Sequence, residues 1–172
     1  DKGYYFAEVA LLKGGSPGDR EVVFQIVEGP KVQVKDRTFE GNEFWSPGNL
    51  RKNLISKEAF LIFGGNYNPD TLPADIEALK GYYRSVGFFD VQVSGKPLFS
   101  SDRSDVNLHF TVTEGRRYKV REIRYEGNAT IPTNRLKDES KLNDGDYYSA
   151  FPLAKDVRRM LGFYGEKGHY FA

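Results

Sequence analysis

The side chains that most often carry catalysis are scarce in this chain. Cysteine is absent, which removes thiol nucleophiles, disulfides and thiolate metal sites. Its absence is compatible with an oxidising compartment without requiring one. The two histidines, His109 and His169, share no ligand spacing with a second histidine or a carboxylate, so no metal site is expected. Serines are plentiful, but none sits in a Gly-x-Ser-x-Gly elbow. Gly14-Gly15-Ser16-Pro17-Gly18 lacks the lysine and the helix of a phosphate loop and reads as a hairpin loop. Asn128-Ala129-Thr130 matches a glycosylation sequon but falls in a turn. No set of acid, base and nucleophile recurs or converges, so the chain is not expected to be an enzyme and implies no cofactor.

Charge narrows the partners. Twenty-five basic and 24 acidic residues leave a formal charge of +1, too little for a whole-chain grip on nucleic acid. Lys31, Lys35 and Arg37, and again Arg117, Lys119 and Arg121, put basic groups on one segment twice. They suit an anionic partner or lipid head groups, but the simpler reading is a solvated strand face. The longest apolar run, Ala59 to Phe63, is far short of the ~20 residues that span a bilayer. No membrane-spanning helix or N-terminal signal peptide is expected. Phe60, Leu61, Ile62 and Phe63 within that run are a candidate docking patch, with folding back into a core as the alternative.

The informative feature is repetition. Glu28-Gly29 and Phe39-Glu40-Gly41-Asn42 recur as Glu114-Gly115 and Tyr125-Glu126-Gly127-Asn128, 86 residues later. Val22, Phe24 and Ile26 match Leu108, Phe110 and Val112 at the same offset. Further on, Tyr67, Leu72, Asp75, Ile76, Tyr82 and Gly87 match Tyr148, Leu153, Asp156, Val157, Phe163 and Gly168 at an offset of 81. Lys2-Gly3-Tyr4-Tyr5-Phe6-Ala7 echoes Lys167 to Ala172. A period this long makes successive small domains rather than a thin-repeat solenoid. Aromatic pairs such as Tyr4-Tyr5, Tyr82-Tyr83, Phe88-Phe89 and Tyr147-Tyr148 recur at one place in each unit, which points to packing rather than to stacking platforms for bases.

Within one unit, Val106, Leu108, Phe110 and Val112 alternate with polar residues and predict a half-buried strand. Phe89, Val91 and Val93 predict another, with Gly95-Lys96-Pro97 and Ser100-Ser101-Asp102 in the connecting loop. The first strand carries Val32, Val34 and Phe39 in one copy and Tyr118, Val120, Ile123 and Tyr125 in the next. Its apolar phase slips in both, which predicts a β-bulge. Leu72, Ile76, Leu79, Tyr83 and Val86 are spaced for a helix capped by Thr71 and stopped by Gly87. Leu153, Val157, Met160 and Tyr164 repeat it up to Gly168, with Gly165 expected to fray the end. A shorter helix is expected from Pro47 to Ile55, and again from Pro132. The order β-α-α-β-β predicts an α+β fold, a three-stranded sheet with two helices on one face.

The element order, the period, the Glu-Gly joints, the Phe/Tyr-Glu-Gly-Asn turn and the Gly87-Phe88-Phe89-Asp90-Val91 entry to the hairpin resemble POTRA (polypeptide-transport-associated) domains. They are most similar to those of the outer-membrane β-barrel assembly factor family. The resemblance implies three regions. Residues 1–29 are the C-terminal hairpin of a preceding domain, 30–116 a complete domain, and 117–172 a following domain without its last strand. It further implies a location on the periplasmic side of a bacterial outer membrane and a membrane barrel of the same protein outside this chain. Unfolded outer-membrane proteins and accessory lipoproteins are the implied partners. Clients are expected to add a strand to a free sheet edge, placed by the resemblance at Phe89, Asp90, Val91, Gln92 and Val93. Two other readings share the fold: a two-partner secretion transporter, and a ring- or divisome-type assembly module that meets no client. Hinges are expected at Gly29-Pro30 and Gly115-Arg116, and the incomplete end units suggest head-to-tail self-association.

Overall fold

The computed structural model describes residues 2–59 and 65–169. Its elements in chain order are β1 (Glu8–Lys13), β2 (Val23–Val27), β3 (Gln33–Glu40), α1 (Pro47–Lys52), α2 (Thr71–Arg84), β4 (Gln92–Phe99), β5 (Asp105–Thr113), α3 (Thr133–Glu139) and α4 (Ala150–Glu166). By backbone proximity the chain divides into two compact units, Asp1–Leu79 with Val93–Val112, and Lys80–Gln92 with Thr113–Ala172.

The complete copy has the expected order β-α-α-β-β. Its sheet runs β3-β5-β4, with β3 parallel to the central β5. The register skips Lys35, so Val34 lies opposite Val106 and Asp36 opposite Asn107. This is the bulge that the phase slip predicts, and it turns Arg37 and Phe39 to the face already occupied by Val32 and Val34. Phe39 stacks on Phe110, ring centroids 5.4 Å apart. Val106, Leu108 and Phe110 are fully buried, as are Leu50 of α1 and Leu79 of α2.

The connecting loop lies later than the glycine and proline suggest. β4 runs through Gly95, Lys96 and Pro97 to Phe99, and the loop is 100–104. Proline is tolerated because β4 is an edge strand, where a missing donor breaks no ladder bond. Gly95 is there for space: a Cβ would stand 3.0 Å from Leu72 Cδ1 and 3.1 Å from Phe110 Cδ1.

Three further expectations are corrected. Thr71 is the first residue of α2, not its cap; its hydroxyl donates to the Asn68 carbonyl. Helix α4 does not fray at Gly165 but continues to Glu166. There Gly168 takes φ +83°, His169 N–H bonds to Tyr164 O and Gly168 N–H to Gly165 O, the double closure that satisfies terminal carbonyls. Helix α2 ends identically at Gly87, with Phe88 N–H on Tyr83 O. Finally, the segment from Tyr118 to Tyr125 forms no strand, only a bridge between Lys119 and Tyr147.

The repeat also builds a polar brace that its apolar pattern does not announce. Asp75, fully buried on α2, accepts Ile55 N–H at 2.6 Å and Ser56 N–H at 3.2 Å. Its counterpart Asp156 on α4 accepts Lys141 N–H, Leu142 N–H and the Ser140 hydroxyl at 2.8–3.0 Å. In both copies a carboxylate from the long helix ties down the segment after the short one. Burial pushes the Asp156 carboxyl up, but the Leu142 and Lys141 amides, the Ser140 hydroxyl and nearby Arg159 together outweigh it, and the group sits below the ordinary value of 3.8. Its stabilising effect is therefore complete above that value and is lost as pH falls through the lower native one. Thermal melts by circular dichroism between pH 7 and pH 2 should show an acid-side loss of stability that Asp156→Asn flattens, while lowering stability at pH 7 by about 1–3 kcal/mol.

Candidate functional site

A three-stranded sheet has two margins, and here they differ. At the β3 margin, Val32 N–H donates to Gly3 O and Val32 O accepts from Tyr67 N–H. Val34 N–H donates to Gly65 O at 2.6 Å, and Val34 O accepts from Ala59 N–H at 3.0 Å. Beyond the bulge, side chains take over: Arg51 Nε donates to Arg37 O, and Arg37 N–H donates to Asp36 Oδ1. Arg37 is correspondingly not part of a solvated basic face. Its guanidinium is buried and donates to the carbonyls of Ser56 and Arg51 and to the Glu58 carboxylate. Lys35, the bulged residue, does stay exposed.

The β4 margin is different: β4 is the last strand of its sheet. Ser100 N–H donates to Asp105 O, which fixes the parity of the hairpin. Even-numbered residues of β4 turn their backbone groups toward β5, and Val93, Gly95, Pro97 and Phe99 turn theirs outward. Pro97 supplies a carbonyl and no donor. The outward N–H groups are thus those of Val93, Gly95 and Phe99. Their side-chain positions are the inward ones, whereas Gln92, Ser94, Lys96 and Leu98 are exposed. A row of backbone donors and acceptors, flanked by exposed side chains of mixed character, can pair with any extended chain.

Of the residues expected on this edge, Gln92 and Val93 lie on it, while Phe89 and Asp90 occupy the turn before it and Val91 precedes its first residue. Phe89 is instead part of a repeated joint. Its ring lies 5.0 Å from Tyr148 and 5.7 Å from Tyr118, and Asp90 accepts the Tyr118 hydroxyl at 2.7 Å. Gly87 O accepts Tyr118 N–H at 2.8 Å, and Tyr118 O accepts Tyr148 N–H at 3.0 Å. The same chain of bonds runs from Gly3 O through Val32 to Tyr67 at 2.8 and 3.0 Å, with Tyr5 packed 5.1 Å from Tyr67. Each compact unit contains one such joint. This accounts for the recurring aromatic pairs, whose rings are engaged with one another.

The remaining candidates lie elsewhere in the two units. Gly29 and Gly115 both have positive φ, the first against Phe6 O and the second against Asp90. Pro30 comes directly after Gly29, and the Arg116 guanidinium lies 5.5 Å from the Tyr118 ring centroid. Burial first, and then the Glu114 carboxylate, push the Tyr83 phenol far above its ordinary value, so it stays neutral. His109 Nδ1 meets Thr38 Oγ1 at 2.9 Å, and the His169 ring stands edge-on to Tyr164 as Phe88 does to Tyr83. No cluster able to hold a metal ion occurs among the described residues. The candidate patch Phe60, Leu61, Ile62 and Phe63 lies outside the described residues. Sequence reasoning missed the Asp75/Asp156 brace and, although it read the recurring aromatic pairs as packing within and between units, the backbone bonds of the joint. The signal was present in both cases: a charged residue repeated on an apolar helix face, and aromatics repeated beside a glycine stop.

Comparison with known proteins places this arrangement. The sequence model of the POTRA family, described as surface antigen variable number repeat, matches residues 32–115 and again 118–172. The chain belongs to the POTRA family. It is 26% identical over 174 residues to a putative outer membrane protein assembly factor of Treponema pallidum, covering 98% of this chain and 21% of that protein. It is likewise 26% identical over 181 residues to the outer membrane protein assembly factor BamA of Nitratidesulfovibrio vulgaris, covering 99% of this chain and 23% of that one. The chain thus spans under a quarter of the length of these relatives. Among solved structures, POTRA domains 3–5 of Haemophilus influenzae BamA superpose with a TM-score of 0.49 at 19% identity, over 93% of this chain and 64% of that chain.

The joint makes a quantitative expectation. In a double-mutant cycle, Phe89→Ala and Tyr148→Ala should be non-additive in thermal or urea unfolding by about 0.5–1.5 kcal/mol, the coupling of a packed aromatic pair. Additive losses would mean that these rings do not support each other.

Proposed function

We propose that this chain is a periplasmic part of an outer-membrane protein assembly factor, and that its complete domain receives unfolded client polypeptide as an added strand along β4. The observation that carries the reading is the asymmetry of the sheet: the β3 margin is spent on Gly3, Ala59, Gly65, Tyr67 and Arg51, and β4 is left with outward backbone groups. The names of its relatives support the setting. Main-chain pairing reads no sequence, which suits a receptor for many different barrel strands. Each backbone bond is worth only about 0.5–1.5 kcal/mol net, so capture is weak and release easy. Accessory lipoproteins and the protein's own membrane barrel are the other partners of this reading. The Gly29-Pro30 and Gly115-Arg116 connections would let successive domains swivel and present their edges to one client.

The receptive stretch starts later than the sequence suggests, at Gln92 rather than Phe89, and its donors are Val93 and Gly95 before Pro97 interrupts them. Titration of the ¹⁵N-labelled chain with an unfolded barrel-strand peptide should shift the Val93 and Gly95 amides. N-methylation of the peptide at alternate residues should abolish the shifts in one register and spare them in the other. Equal binding by both methylated peptides, or shifts confined to other surfaces, would refute pairing at β4.

A further inference from the structure

Two residues of β4 are unusual for the strand they stand in. The first is Gly95. A glycine inside a strand weakens it and often marks a place where another chain comes close. The hairpin parity sets Gly95 opposite Phe110. In the β1–β2 hairpin the residue opposite Phe24, which repeats Phe110, is Leu11. A Cβ on Gly95 would press on Leu72 Cδ1 and Phe110 Cδ1, at 3.0 and 3.1 Å. Leu72 of α2 therefore leans over the bare glycine, and it is only half-buried there. On the helix side, the margin of β4 at this point is a leucine side chain with nothing on the strand to screen it.

The second is Lys96, the one charged residue of β4. It is exposed on the face away from the helices and makes no ion pair among the described residues. His109, opposite it on β5, is turned to Thr38 Oγ1 at 2.9 Å and to Glu40 Oε2 at 3.4 Å. A lysine on an edge strand is an ordinary guard against indiscriminate pairing. A carboxylate on the incoming strand lifts that guard, whereas a cation strengthens it.

We propose that β4 prefers, among extended polypeptides, a strand in which aspartate or glutamate is directly followed by a large apolar residue. Strand geometry fixes this order. Gly95 turns its backbone outward, so in an antiparallel pair the client residue opposite it exchanges both hydrogen bonds and points its side chain toward α2. There it covers the glycine and meets Leu72, as large side chains cover edge glycines in other sheets. The residue opposite Lys96 sits in a pair without hydrogen bonds, where Cα atoms approach to about 4.5 Å and side chains are closest. In an antiparallel client that residue comes first. The proposal rests on client pairing at β4 and adds a ranking to it: backbone bonds admit any extended chain, and these two positions order them. A strand that alternates polar and apolar residues, as membrane-barrel strands do, can meet both requirements at once.

The test uses unfolded strand peptides that share one neutral sequence and differ in a single central pair: Glu-Phe, Lys-Phe or Phe-Glu. In titrations of the ¹⁵N-labelled chain, all three should shift the Val93 and Gly95 amides, since main-chain pairing needs no particular side chain. Glu-Phe should bind about 5-fold more tightly than Lys-Phe at low salt, the scale of a cross-strand charge pair, and added salt should shrink the difference. Glu-Phe should also bind more tightly than Phe-Glu and move the Leu72 methyl signals. In the Lys96→Glu chain, whose fold circular dichroism checks, Lys-Phe should bind more tightly than Glu-Phe. Equal affinities of Glu-Phe and Lys-Phe, equal affinities of Glu-Phe and Phe-Glu, or an unchanged order in Lys96→Glu, with the Val93 and Gly95 shifts intact, would overturn the preference and leave strand addition at β4 standing. Absence of those shifts with every peptide would overturn both.

Discussion

The structure depends on one strand having two neighbours. β5 is the centre of the only three-stranded sheet among the described residues, and its inward side chains are almost completely buried. Where β5 is present, the first segment of the repeat becomes an eight-residue strand with a bulge at Lys35. In the second copy of the repeat, the related segment from Tyr118 to Tyr125 makes a single bridge, Lys119 with Tyr147, and no strand. Local propensity is similar in both, so backbone pairing decides. A strand is a relation between segments, and its hydrogen bonds form only when both sides are there.

The same logic governs the margins of that sheet. Backbone donors and acceptors that face outward must be paired, covered or left to water. On β3 they are paired, partly with backbone from Gly3 and from the segment between α1 and α2, and partly with Arg51. On β4 they face outward behind a proline that limits the run. The domain thus has a closed side and an open side, and the distinction is made of main-chain atoms. An open margin of this kind leaves almost no trace in the pattern of side chains.

The joints explain why the compact units differ from the repeat units. The carbonyl of Gly87, just after α2, accepts Tyr118 N–H, the carbonyl of Gly3 accepts Val32 N–H, and aromatic rings pack beside each. The turn after α2 is therefore bound to the next copy of the repeat, through Tyr118 and Tyr148. This pulls Phe89 and Asp90 away from the edge strand that their alternation with Val91 and Val93 suggests. Periodicity of two was correctly read there, but the first two positions serve the joint.

The period, the element order, the bulge and the glycine stops of both long helices were legible in the residues, because each has a local cause: alternation, spacing of three and four, a phase slip, or a backbone that must turn left-handed. The tertiary structure alone decided which margin is open, that Arg37 is buried, and that Asp75 and Asp156 brace a neighbouring segment. It also decided that Tyr118 bonds to Gly87 and Tyr148, and Val120 to Asp146 and Gly145. Those outcomes hang on hydrogen bonds between groups far apart in the chain. Every residue except proline carries the same backbone donor and acceptor, so no side-chain pattern announces where they will meet.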